Sequence, residues 1–198
     1  MDATPGGTGW LELKEEYRRA LDEGRLDQHR KRRWSRAREF AGWLAQDQLP
    51  GLSMDQAMAL FRASGGVRTA EFKSNHPEEI RDVLDFLLYD SVKLEGRFDE
   101  CAAEGGGFKL EGAGKEFVSY ILCLRDPSLF AIWDNRAEAL LRRVGMLAPK
   151  MRTGPMGIRY LDMLEILSQV RYHLGLADFQ ALDEIGYAAS NRRRKGHV

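Results

Sequence analysis

Apolar residues along the chain recur at helical spacing, and alternating stretches are scarce. Leu11, Leu13, Tyr17 and Leu21 form a thin apolar stripe, which predicts a charged helix over residues 10–26. Asp27 has the chemistry of an N-cap for a second helix running to about residue 48. The apolar face of that helix is Trp34, Ala37, Phe40, Ala41 and Leu44. Leu49-Pro50-Gly51 breaks the pattern. Ser53 then caps a short helix over 54–63, which Gly65 and Gly66 end. Residues 67–74 read as irregular. Asn75-His76-Pro77-Glu78-Glu79 supplies a polar cap, a proline and first-turn acids. The helix it opens, to about residue 90, buries Ile80, Val83, Leu84, Leu87 and Leu88.

A helix over 92–104 is weakened by Gly96 and ended by glycines 105–107. From Lys115 onward, Phe117, Tyr120, Ile121 and Leu124 share one helix face. Another helix begins at Asp134, and residues 146–153 form a loop. Helices over 156–174 and 177–189 close the pattern, and a basic tail occupies 191–198. The prediction is an all-α bundle of nine or ten helices in a single domain, residues 1–198. It divides into a basic N-terminal layer (1–50), a core (54–145) with a hairpin at 110–124, and closing helices (155–190).

Composition narrows the function classes. Basic and acidic residues number 30 each, so net charge carries no information and the placement of charge must. The cysteines, Cys101 and Cys123, are too few for a four-thiolate metal or iron–sulfur site and read as reduced thiols. His29, His76, His173 and His197 show no i, i+4 pairing, so neither a metal nor another cofactor is expected. No stretch approaches the ~20 apolar residues that span a bilayer. The first eight residues lack the apolar core of a signal peptide, and the expected location is cytoplasmic.

The informative segment is Leu110-Glu111-Gly112-Ala113-Gly114-Lys115 and the helix that follows. An apolar residue, then Gly-x-Gly, makes a tight turn opening onto a helix N-terminus. Free amides there bind a phosphate without reading sequence, and Lys115 adds a charge. The bland reading is a helix-to-helix turn with no ligand. Downstream, Pro127 begins a turn that ends at Trp133, and Asp134 enters the next helix 22 residues after Gly112.

This segment, from about residue 108 to 145, resembles the helix-hairpin-helix DNA glycosylase superfamily, which includes endonuclease III and the 8-oxoguanine and adenine glycosylases. The resemblance implies a glycosylase-like helical fold that binds double-stranded DNA. Gly112, Ala113, Gly114 and Lys115 would meet the backbone. Asp134 would be the catalytic carboxylate, acting on a base flipped from the duplex. Bifunctional members carry a lysine two residues after the second glycine. Glu116 stands there, and Lys115 is turned about 100° away on the helix. The implied enzyme is therefore a monofunctional hydrolase of the N-glycosidic bond.

Each site residue carries an alternative. Asp134 is also an ordinary N-cap. Arg136 either contacts phosphate or pairs with Asp134, which would keep the carboxylate ionised. Arg32 and Arg33, in the basic run 25–38, form either a phosphate-binding face or a solvated face paired with acids. Tyr120 and Trp133 either line a base pocket or belong to the core. Similar hairpin and Pro…Trp-Asp/Asn-x-Arg segments also resemble regions of restriction and phage-defence proteins. A catalytically silent DNA-binding module of repair, restriction or defence is thus the alternative to the glycosylase. Nothing in the sequence points to a membrane or to a particular protein partner.

Overall fold

The computed structural model describes residues 7–147 and 153–191. Helix α1 (Gly7–Asp22) leads into two short helices, α2 (Asp27–Arg33) and α3 (Ala37–Trp43), and a 3-10 turn at Leu49–Gly51. Next come α4 (Met54–Ser64), α5 (Thr69–Ser74), α6 (Pro77–Tyr89) and α7 (Leu94–Ala102). Residues 103–114 connect α7 to α8 (Lys115–Arg125). The remaining helices are α9 (Asn135–Arg143), α10 (Met156–Leu174) and α11 (Phe179–Asn191). The protein is an all-α bundle, with no strand among the described residues. The expected loop at 146–153 and tail at 191–198 fall largely outside those residues, as do residues 1–6. Among the described residues no helix is long and apolar enough to cross a membrane.

Helix α8 is the axis of the core. Its eight consecutive residues Phe117 to Leu124 are all buried. A helix apolar on every side must be covered on every side, and α3, α4 and α7 pack against it. Helix α10 lies along α7, and Gly157 permits the approach. A Cβ at Gly157 would stand 1.8 Å from the carbonyl oxygen of Glu95, where no atom fits. The outer layer joins the two ends of the described chain: α1 packs on α10 and α11, and α2 packs on α4 and α11. Both cysteines are buried. Burial, with a smaller push from Glu100, raises the Cys101 thiol to about 12, as suits an inert thiol.

Several bounds follow local chemistry. Ser53 and Gln56 form a capping box at the start of α4, and left-handed Gly65 (φ +98°) closes that helix. Two expectations are corrected. The helix expected over 27–48 is broken between α2 and α3, where Trp34 and Arg36 leave helical geometry (φ −119° and −111°). The two halves serve different partners, α2 facing α4 and α11 and α3 facing α8, and a straight helix cannot meet both. Within the expected irregular stretch 67–74, residues 69–74 form α5. Its anchor is Phe72, fully buried and stacked on Phe61 with ring centroids 4.2 Å apart.

Candidate functional site

The segment before α9 is fixed by α8. Buried Ser119 accepts a hydrogen bond from the Trp133 backbone N–H at 2.8 Å and donates to the Lys115 carbonyl at 2.6 Å. The Trp133 indole N–H donates to Glu138 Oε1 at 2.9 Å. Lys115 Nζ reaches the same oxygen at 2.7 Å and stands 4.4 Å over the Trp133 ring. Burial alone would raise the Glu138 pKa, but these bonds outweigh it and hold the carboxyl below its ordinary value. The next residue, Asp134, is the N-cap of α9. Its Oδ1 accepts from the backbone N–H groups of Arg136 (2.9 Å) and Ala137 (3.0 Å).

The second oxygen of Asp134 faces guanidinium groups. Oδ2 lies 3.3 Å from Arg33 NH1 and 3.5 Å from Arg136 NH1. Arg33, from α2, is 2% exposed. Its NH2 donates to the Ser64 carbonyl at 2.7 Å, and its NH1 donates to Asp183 of α11 at 2.6 Å. One nitrogen thus holds two carboxylates from helices far apart in sequence. Asp183 also receives His29 Nε2 at 2.6 Å and the Trp34 indole N–H at 2.9 Å. Burial pushes the Asp183 pKa up, yet Arg33 and His29, with Trp34, carry it well below the carboxylate range. An ionised carboxylate only accepts, so the proton of the His29 bond belongs to Nε2. Removing Arg33 or Asp183 would leave a buried charge without its main partner.

The Gly-x-Gly turn is built less symmetrically than its sequence. Gly112 has φ +74°, and a Cβ there would meet the Phe72 backbone nitrogen at 2.7 Å and the Arg68 carbonyl oxygen at 2.8 Å. Glycine is required at 112 on both counts. Gly114 is extended, φ −151° and ψ −167°, a conformation open to any residue. The turn is clamped from α5 and α6: Asn75, at their junction, accepts from the Glu111 N–H (2.9 Å) and donates to the Glu111 carbonyl (3.1 Å). Residues 107–109 bond back onto the end of α7, and the turn at 111–112 docks on α5 and Asn75.

A groove of about 320 Å³ opens beside Asp134. One side is the end of α4 with Ser64 and Gly65; the opposite side is the α8 start with Gly114 and Glu116. Phe61 and Phe117 contribute apolar wall, and Arg33, Asp134 and Arg136 the charged end. The size lies at the lower end of small-ligand sites. Apolar walls with a charged end suit a flat polar ring.

The groove brings together Arg33, Gly112, Gly114, Asp134 and Arg136 of the sequence-predicted site. Ala113 is 1% exposed and lies in the core. Lys115, expected to reach a phosphate, is instead drawn back onto Glu138 and Trp133. Arg33, expected on a phosphate-facing stripe, is buried because Asp183 and Asp134 claim its charge. Arg32, its neighbour, faces a separate cleft. Tyr120 and Trp133, weighed as pocket walls, are 0% and 1% exposed core residues. The Tyr120 hydroxyl is consumed by the Arg33 carbonyl at 2.7 Å. Sequence reasoning missed Asp183, His29, Ser119 and Asn75. Only an unusual pairing of charge across 150 residues could have exposed the first two.

No protein-family model matches the chain, and comparison with curated proteins and with solved structures returns no match.

Proposed function

We propose that the protein acts on duplex DNA as a monofunctional base-excision glycosylase, hydrolysing the N-glycosidic bond of a damaged or modified base. The observation that carries this reading is the groove itself: a hollow of about 320 Å³ whose lining includes Phe61, Phe117 and the Asp134 carboxylate. A base flipped from the stack would enter between the α4 end and the α8 start. Asp134 would stabilise the positive charge that grows on the sugar as the C–N bond breaks. Water would supply the oxygen that joins the sugar carbon, and the base would leave with a proton. Glu116 lines the groove and the Lys115 ammonium is held at Glu138, which supports hydrolysis over a Schiff-base step.

A second reading, a catalytically silent DNA-binding module of a repair, restriction or defence system, is favoured by one observation. Both Asp134 oxygens are already engaged, one by two amides and the other by two guanidinium groups. One experiment separates the readings. Free base is measured from a panel of lesion-bearing and modified duplexes, with wild type and Asp134→Asn. The glycosylase reading expects release by wild type and a loss of at least about 10²-fold in the variant, as for removal of a preorganised electrostatic group. Asparagine still caps α9, so the variant stays folded. Equal inertness of both proteins, with salt-sensitive duplex binding retained, establishes the module instead.

A further inference from the structure

A second cleft, of about 550 Å³, lies on the other side of Asn135 and Arg136, between α2, α9 and α11. Its wall includes Gln28, His29 and Arg32 from α2, Asn135 and Arg136 from the first turn of α9, and Tyr187 from α11. Among the described residues no aspartate or glutamate lines it. Three other arginines of α2 and α9 are matched. Arg30 sits 2.6 Å from Glu184, Arg33 2.6 Å from Asp183 and Arg143 2.6 Å from Glu16. Arg32 has no hydrogen bond or ion pair among the described residues. Partial desolvation, together with the positive charge of Arg33 and Arg136, lowers its pKa from the ordinary arginine value. An anion would relieve that crowding.

The cleft takes in the first turn of α9, whose Arg136 and Ala137 amides are already capped by Asp134. Tyr187 holds the geometry, with the His29 ring stacked at 4.2 Å and the Arg136 guanidinium 5.2 Å from its centroid. His29 also lines the cleft: its side chain is fully buried, Nε2 is spent on Asp183, and Nδ1 has no partner among the described residues. A buried polar nitrogen without a partner costs free energy that a ligand hydroxyl or a bound water would recover.

We propose that this cleft is a phosphate-binding site, in which Arg32 and Arg136 clamp a phosphate oxyanion, Asn135 adds a donor and His29 takes a hydroxyl of the same ligand. Planar guanidinium forks are the side chains best shaped for this. The site goes beyond the glycosylase reading, because it needs no chemistry at Asp134. The same chemistry is offered by a phosphodiester of a nucleic-acid backbone and by a free phosphomonoester.

The test titrates inorganic phosphate into the full chain and follows the arginine side-chain and Asn135 amide signals by nitrogen-edited NMR. A fluorescently labelled duplex is titrated in parallel across a salt series. Phosphate is expected to shift the Arg32, Arg136 and Asn135 signals, and Arg32→Gln to weaken phosphate binding by about tenfold, the scale of one charge-assisted contact. Lys31→Gln, an exposed neighbouring cation, is expected to leave phosphate affinity unchanged. Thermal unfolding checks that Arg32→Gln is folded, as its exposed position implies. If Arg32→Gln also weakens duplex binding and reduces the salt slope by about one, the ligand is a backbone phosphate. If phosphate binding falls while duplex binding is untouched, the ligand is a free phosphate compound. No phosphate-dependent shift in these residues, or equal weakening by Arg32→Gln and Lys31→Gln, overturns the site. Base release by Asp134→Asn, measured separately, reports on the glycosylase reading alone.

Discussion

The two hollows that share Asn135 and Arg136 dispose of charge in opposite ways. In the groove beside Asp134 the buried charges are matched: Arg33 serves Asp134 and Asp183, and Asp134 is also within reach of Arg136. In the cleft beside Tyr187, Arg32 has no acidic partner and no acid lines the wall among the described residues. A matched site is a stiff one, because each group is held by the others and a ligand must compete with existing bonds. An unmatched site is weakly committed and draws an opposite charge from solvent. The groove is thus suited to holding a reacting group in one geometry, the cleft to capturing an anion.

The largest expected effect comes from unbalancing the groove. Arg33→Met leaves Asp183 and Asp134 without the guanidinium between them. A loss of about 3–5 kcal/mol is expected in denaturant unfolding, the scale for a broken buried pair. Arg32→Gln, one residue away, is expected to change stability by less than about 0.5 kcal/mol. Similar losses in the two variants would erase the distinction between matched and unmatched charge.

Acid sharpens the same contrast. The Asp183 pKa is depressed in the folded state, so its stabilising contribution is complete above the unfolded carboxylate value of about 4 and is lost as pH falls below it. Asp183→Asn is expected to lower stability at neutral pH and to flatten the acid slope of an unfolding series. A slope unchanged from wild type would show that the groove network does not govern acid unfolding.

A smaller effect tests the lip of the groove. Gly112→Ala must adopt φ +74° and press on the α5 backbone, so a loss of about 1–3 kcal/mol is expected by thermal unfolding. Gly114→Ala, in extended geometry with only the Glu116 carboxylate near its Cβ, is expected to cost no more than about 1 kcal/mol. Neither change touches the cleft, so phosphate affinity should hold in both. A shift in that affinity would mean the two hollows are coupled.

What was legible in the sequence was local. Helix α10 occupies residues 156–174 as its periodicity predicts, and Asp134 caps α9 as its side chain suggests. The Gly112 turn was also readable, because its conformation needs a particular residue. The break at Trp34 was not, since it follows from where α4, α8 and α11 stand and not from a proline or glycine in the helix. Arg32 and Arg33 look alike in the basic run, yet one is exposed and the other is 2% exposed. Their difference is decided by Asp183, 150 residues away. Trp133 and Tyr120 carry polar handles that suit a pocket or a core equally, and the bonds to Glu138 and the Arg33 carbonyl decide for the core.

The shared nitrogen of Arg33 has a consequence for the order of events during synthesis. Its carboxylate partners lie at positions 134 and 183. In chain order, α2 and Asp134 both precede α11 (Phe179–Asn191), so they are made before it. Until α11 is made, Arg33, His29 and Trp34 have no Asp183 to receive them, and α2 lacks part of its cover. The surroundings of Asp134 therefore reach their final form only after α11 docks. A chain interrupted before that point carries its candidate carboxylate in an unfinished setting.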